Sequence, residues 1–113
     1  YIYYPDLHYD TSENKSGYVY KSRRGKINIW GGAMTENIVQ AVARIVIGDQ
    51  MVEINDKYRP ALTVHDAIIC LAPEHEKKVA MDFVLDVMGK PPAWATGLPI
   101  ACEGDYADNY GDC

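Results

Sequence analysis

Two short apolar runs near the middle of the chain are separated only by a polar pair. Residues 61–64 and 67–71 form the runs, which are strand-length and rich in β-branched side chains, and His65 and Asp66 lie between them. This pattern predicts a tight antiparallel hairpin with a two-residue turn. Such turns usually need positive φ, which His and Asp adopt more often than most residues other than Gly. Because strained turns are found more often at functional sites, we interpret His65 and Asp66 as functional residues, with a purely structural turn as the alternative.

The rest of the apolar pattern predicts three further strands and two helices around this hairpin. An extended N-terminal segment covers residues 1–17, and a globular part covers residues 18–113. The predicted elements of the globular part are strands at 17–20 and 27–30, a helix with Thr35 as N-cap that ends near residue 54, the hairpin, a helix from Pro73 to Gly89, and a strand at 98–102. The order β-β-α-β-β-α-β predicts an α+β fold, in which an antiparallel sheet packs against two main helices.

The first predicted helix is apolar around most of its circumference, which predicts burial on several sides. At 100° per residue, Asn37, Gln40 and Arg44 lie on one narrow polar stripe. Two amides and a guanidinium suit hydrogen bonds to nucleic-acid edges and backbone. A stripe that faces solvent is equally compatible with these residues.

Composition narrows the classes of protein that this chain can represent. The 113 residues carry a formal net charge of −5, which disfavours an autonomous nucleic-acid binder, so any such role must be local or use charge from another segment. The basic turn at residues 23–26 suits a phosphate contact and equally a solvated hairpin tip. Three widely spaced cysteines argue against a disulfide framework or zinc site and predict a reducing cytoplasm. No apolar run approaches the ~20 residues that span a bilayer, so we expect no membrane partner. The start at Tyr1 suggests a segment of a longer protein or the product of a split gene.

Three stretches resemble one enzyme family. They are GGAMTENIVQAVAR at residues 31–44, TVHDAII at 63–69, and PPAWATGLPI at 91–100 with its continuation to Tyr110-Gly111. In this order and spacing they resemble the C-terminal palm region of A-family DNA polymerases, the family of bacterial DNA polymerase I, and especially its bacteriophage branch. The resemblance covers most of residues 18–111.

The resemblance implies a role for each matching residue. Asp66 would be one of two palm aspartates that bind catalytic Mg²⁺, which activates the primer 3′-hydroxyl for attack on the α-phosphate of a dNTP. His65 would contact the primer end. Asn37, Gln40 and Arg44 would lie near the primer–template duplex. The implied activity is template-directed DNA synthesis in the cytoplasm of an infected bacterial host.

Two departures from the family pattern limit what the chain does by itself. Ala67 stands where the family often has Glu, so one carboxylate is missing. The second aspartate and the fingers helix with its nucleotide-binding Arg and Lys are expected upstream, in a remaining polymerase segment or chain. The sequence therefore predicts a fragment or split subunit that is inactive alone. The alternative is a non-catalytic protein- or nucleic-acid-binding assembly module. A hydrolase that uses Cys70 with His65 is disfavoured, because a thiol in an apolar strand is expected to be buried and inert.

Overall fold

The computed structural model of the chain describes residues 2–11 and 16–113. The strands are β1 (His8–Asp10), β2 (Gly17–Ser22), β3 (Gly25–Ile29), β4 (Pro60–Val64) and β5 (Ala67–Cys70), and the helices are α1 (Gly31–Asn55) and α2 (Lys77–Met88). Short 3₁₀ turns occupy Glu74–Glu76, Ala93–Ala95 and Tyr110–Asp112. The predicted α+β class with two main helices is confirmed. The chain divides within α1 into two compact units, Tyr1–Ala43 and Arg44–Cys113.

The described strands form two separate antiparallel sheets, whereas the sequence predicted one. In the first unit the order is β1-β2-β3, and in the second β4 pairs with β5. Val19 on β2 and Ile29 on β3 are buried. Strand β1 lies inside the extended N-terminal segment, where no strand was predicted. Residues 12–15 of that segment lie outside the described residues.

Helix α1 begins earlier than predicted. Thr35 is not an N-cap, because its Oγ1 donates to the Gly31 carbonyl one turn back, at 2.9 Å. The Trp30 carbonyl already accepts a hydrogen bond from the Met34 amide at 3.0 Å. Gly32 is needed at this start for a steric reason, since a Cβ there would lie 1.9 Å from the Trp30 ring. The two glycines are therefore the first residues of α1, with Gly32 packed against the Trp30 side chain, and do not form a break between β3 and the helix.

Many apolar side chains of α1 are exposed, so the prediction of burial on several sides is wrong. The buried residues of this helix are Val46, Gln50 and Ile54, which recur every four residues and form one stripe in the second unit. At least 40% of each of five other apolar residues is exposed: Ile38, Val39, Val42, Ile45 and Val52. The sequence pattern records an apolar surface, but the described chain covers only part of it.

The core of the second unit joins the end of α1 to α2. Ile54 is fully buried, and Tyr58 packs against Phe83 with ring centroids 5.9 Å apart. Residues 98–102 do not form the predicted strand. Instead Cys102 Sγ donates to the Leu85 carbonyl at 3.3 Å, so this segment lies against α2.

Candidate functional site at the β4–β5 hairpin

The predicted hairpin forms with His65 and Asp66 as its two-residue turn. Val64 pairs with Ala67 as the last rung of the β4–β5 ladder. His65 has φ of 56°, and Asp66 is not among the residues with positive φ. Positive φ at the first turn position alone is the pattern of a type II′ turn, in which Gly is usual. The turn therefore holds a non-glycine residue in a strained conformation, as the sequence indicated.

Both turn side chains are exposed. Asp66 thus presents its carboxylate at the end of the hairpin and is not buried in an apolar core or placed in a helix. An exposed carboxylate can accept hydrogen bonds or bind a hard cation without a desolvation penalty inside the protein.

Helix α1 supports the turn through Arg44. Its Nη1 donates to the His65 carbonyl oxygen at 3.3 Å. Arg44 was predicted from the polar stripe as a DNA contact, and the structure places it beside the candidate catalytic pair. The hydrogen bond to the turn was not foreseen. It joins residues 21 positions apart, and no local pattern in the sequence signals it.

The other two residues of the stripe belong to the first unit and have partners there. Asn37 Nδ2 donates to the Tyr4 hydroxyl at 2.9 Å, and Gln40 Nε2 donates to Glu36 Oε1 at 3.1 Å. Both amides are exposed. The structure therefore brings Arg44 together with His65, while Asn37 and Gln40 contact Tyr4 and Glu36 in the first unit. DNA binding by all three residues stays a prediction.

The hairpin provides one candidate metal ligand. Within residues 2–11 and 16–113, no group of three His, Cys, Asp or Glu side chains is arranged to hold a metal ion. Mg²⁺ is usually bound by one or two carboxylates together with substrate phosphates and water. The carboxylate of Asp66 fits one such position, and the remaining ligands would have to come from substrate, water and another segment.

Cys70 at the end of β5 does not suit nucleophilic chemistry. The thiol is half-buried, and burial raises its pKa. A raised pKa lowers the fraction of thiolate, which is the reactive form. The Cys70–His65 hydrolase hypothesis therefore lacks an activated nucleophile.

The α+β fold displays the exposed carboxylate of Asp66 at a strained hairpin tip, and Arg44 lies beside it. This arrangement suits metal-assisted chemistry on a phosphate-bearing substrate. The chain is 32% identical over 112 residues to the DNA polymerase of Bacillus phage SP02. That match covers 94% of this chain and 17% of the phage protein. The chain is therefore similar to a small part of a phage DNA polymerase.

Two other comparisons gave nothing: no family model matches the chain, and no solved structure matches it significantly. In the ranges that the structure describes, no helix is both long and apolar enough to cross a membrane.

Proposed function

We propose that the chain is the C-terminal palm segment of an A-family, phage-type DNA polymerase and contributes Asp66 to its catalytic site. The observation that carries this proposal is the exposed Asp66 at a tight hairpin tip, in a chain similar to a phage DNA polymerase over 94% of its length. The reaction is template-directed nucleotidyl transfer from a dNTP to a DNA primer. The proposal implies a location in the cytoplasm of the infected bacterium.

Each residue of the hairpin tip has a defined task in this proposal. Asp66 would hold Mg²⁺ as an anionic oxygen ligand, and the ion would supply charge neutralisation at the α-phosphate and activation of the primer hydroxyl. His65 contacts the primer end. Arg44 keeps the turn in position by its hydrogen bond to the His65 carbonyl. The strained turn and this hydrogen bond constrain the backbone from which the Asp66 carboxylate projects, which matters because catalytic geometry tolerates little displacement.

The segment needs the rest of a polymerase to act. It spans 17% of the length of the phage protein that it matches, and it offers one tip carboxylate for a reaction that uses two metal ions. The exposed apolar residues of α1 support this requirement, because large apolar patches on a protein surface usually mark a contact with another segment or protein. We expect the isolated 113-residue chain to extend no primer.

The test is Asp66→Asn in the polymerase that contains this chain, measured as primer extension with Mg²⁺ and dNTPs. Activity should fall by about two orders of magnitude or more, since a metal ion stabilises the transition state by several kcal/mol. Folding should be unaffected, because exposed turn substitutions change stability by less than ~0.5 kcal/mol. Asp82→Asn, an exposed carboxylate on α2, is the matched control and should retain full activity. Robust extension by Asp66→Asn would remove the metal-ligand role.

The exposed apolar face of α1 also favours a second candidate, a non-catalytic assembly module. In that case Ile45→Asp, at a position that is 52% exposed, should abolish association with the remaining polymerase while Asp66→Asn leaves synthesis unchanged. The catalytic proposal requires the opposite result for Asp66→Asn.

A further inference from the structure

The β2–β3 hairpin ends in a cluster of four basic side chains, which we call the basic tip: Lys21, Arg23, Arg24 and Lys26. All four are exposed. The whole chain has 11 basic and 16 acidic residues, so four cations within six positions are a marked local excess. None of these residues belongs to the candidate site at the β4–β5 hairpin.

The turn that carries the two arginines is fixed by its own backbone and by Ser22. Ser22 pairs with Gly25 across the hairpin, and its Oγ accepts from the Arg24 amide at 3.1 Å and donates to the Gly25 carbonyl at 3.0 Å. Gly25 has φ of 113°, a conformation that residues with a side chain rarely adopt. The backbone of the turn is thus hydrogen-bonded within the hairpin, while both guanidinium groups remain exposed.

This arrangement concentrates like charges at a cost in stability. Lys21 and Lys26 are direct cross-strand partners, and like charges in that position are destabilising. Lys26 is partly compensated, because its Nζ lies 3.0 Å from Asp10 Oδ2. In residues 2–11 and 16–113, no carboxylate forms a salt bridge with Lys21, Arg23 or Arg24. A bound anion would relieve the repulsion and use the exposed donors.

We propose that the basic tip binds the sugar–phosphate backbone of a nucleic-acid duplex. That this duplex is the primer–template rests on the proposed function. The charge and geometry of the basic tip are observed independently of it. Guanidinium groups form paired hydrogen bonds with phosphate oxygens, so Arg23 and Arg24 are the principal contacts. Contacts of this kind hold a duplex in register without reading its sequence.

Equilibrium binding of a fluorescent primer–template duplex tests the proposal. Anisotropy is measured without Mg²⁺ or dNTP between roughly 50 and 200 mM salt, with the polymerase that contains this chain. If Arg23 and Arg24 each neutralise one phosphate, the Arg23→Ala/Arg24→Ala variant should reduce the slope of log K against log salt by about 1.8, at about 0.9 per contact. Its loss of affinity should be greatest at low salt.

Two matched variants separate a phosphate contact from a general change in charge. Arg23→Lys/Arg24→Lys keeps both charges and should keep the parental slope. Arg59→Ala/Lys78→Ala removes two exposed charges of the second unit and should also keep it. A parental slope in Arg23→Ala/Arg24→Ala overturns the proposal. If this variant also failed to associate with the remaining polymerase, the unchanged slope would indicate that the basic tip contacts an acidic protein surface.

The same titration in an Asp66→Asn background distinguishes failure of this proposal from failure of the catalytic one. A reduced slope there supports the basic tip whatever Asp66 does in synthesis. If Asp66→Asn enzyme is active and the two arginine substitutions still reduce the slope, only the catalytic role of Asp66 is rejected. If Asp66→Asn enzyme is inactive and the two arginine substitutions leave the slope unchanged, only DNA binding by the basic tip is rejected. Absence of any duplex binding by the parent protein rejects both.

Discussion

The buried amide of Gln50 is expected to stabilise the second unit by linking α1 to the end of α2. Gln50 is 4% exposed, and its Nε2 donates to the Met88 carbonyl at 2.9 Å and the Lys90 carbonyl at 3.3 Å. Met88 is the last residue of α2, where carbonyls lack helical partners, and Lys90 follows two residues later. One side chain therefore satisfies two backbone acceptors, at the end of α2 and just beyond it.

Replacement by methionine removes both hydrogen bonds and keeps a flexible, helix-compatible side chain of similar length. The Met88 carbonyl is in a half-buried residue and would lose a good partner, whereas the exposed Lys90 can recover water. A hydrogen bond contributes about 1 kcal/mol net, and an unsatisfied buried acceptor costs about 1–3 kcal/mol. Between these limits we expect Gln50→Met to destabilise the protein by about 1.5 kcal/mol. With an unfolding entropy of about 2.1 cal/mol/K per residue over 113 residues, this corresponds to a decrease in Tm of about 6 °C.

Urea denaturation followed by circular dichroism measures the effect. Gln50→Met should lower the midpoint and leave the m-value unchanged, since the surface exposed on unfolding is the same. Gln40→Met is the matched control, because Gln40 is exposed and its amide donates to Glu36 one turn away, so this variant should stay within ~0.5 kcal/mol of the parent. If both variants were equally stable, the buried amide would contribute nothing and the reasoning would be wrong.

Further predictions concern the polar stripe and one buried phenol. Arg44→Ala should weaken DNA binding by the assembled polymerase, with a loss that shrinks as salt rises, while Gln40→Ala should act with little salt dependence. Parental DNA binding by both variants at low salt would mean that the stripe only faces solvent. Tyr58→Phe removes the 3.0 Å hydrogen bond to Glu76 and should lower the urea midpoint at neutral pH. Burial and then Glu76 raise the pKa of Tyr58, so its stabilising contribution is complete below pH ~10 and is lost as pH rises through the raised pKa. Denaturation curves at increasing pH should show this alkaline loss in the parent and less of it in Tyr58→Phe; equal losses would contradict the assignment.

The hairpin could be predicted because its signal is local. Two strand-length runs separated by His65 and Asp66 leave few other ways to connect them, and His tolerates the φ of 56° that the turn requires. The support from Arg44 could not be predicted, because it depends on how α1 packs beside the hairpin in three dimensions. Sequence periodicity gave Arg44 a face of the helix but no partner.

The errors along α1 and near the C-terminus have a common physical origin. An apolar pattern shows that a surface avoids water, but it does not show whether the same chain covers it, so Val39 and Ile45 were wrongly expected to be buried. Local propensity also competes with specific contacts. The Trp30 ring over Gly32 opens a helix at a glycine pair, and the hydrogen bond from Cys102 to Leu85 holds an extended segment against a helix.

Ala67 gives a direct way to examine the charge of the candidate site. It is the exposed first residue of β5 and follows Asp66, at the position where the resembling family often has Glu. In the polymerase that contains this chain, Ala67→Glu adds a second negative charge near the tip. A unit charge and a divalent cation ~6 Å apart in water attract by about 1.4 kcal/mol, which corresponds to about tenfold in affinity. The Mg²⁺ concentration for half-maximal primer extension should therefore fall by up to about tenfold.

Ala67→Gln is the matched control for that experiment, since it has the same size without the charge and should titrate with Mg²⁺ like the parent. Both substitutions are at an exposed position and should change stability by less than ~0.5 kcal/mol, so any difference between them reports electrostatics and not folding. If Glu and Gln gave the same Mg²⁺ dependence, the ion would be too far from residue 67 to respond to its charge. Because residues 66 and 67 are adjacent in the turn and strand, that result would also argue against Asp66 as a ligand.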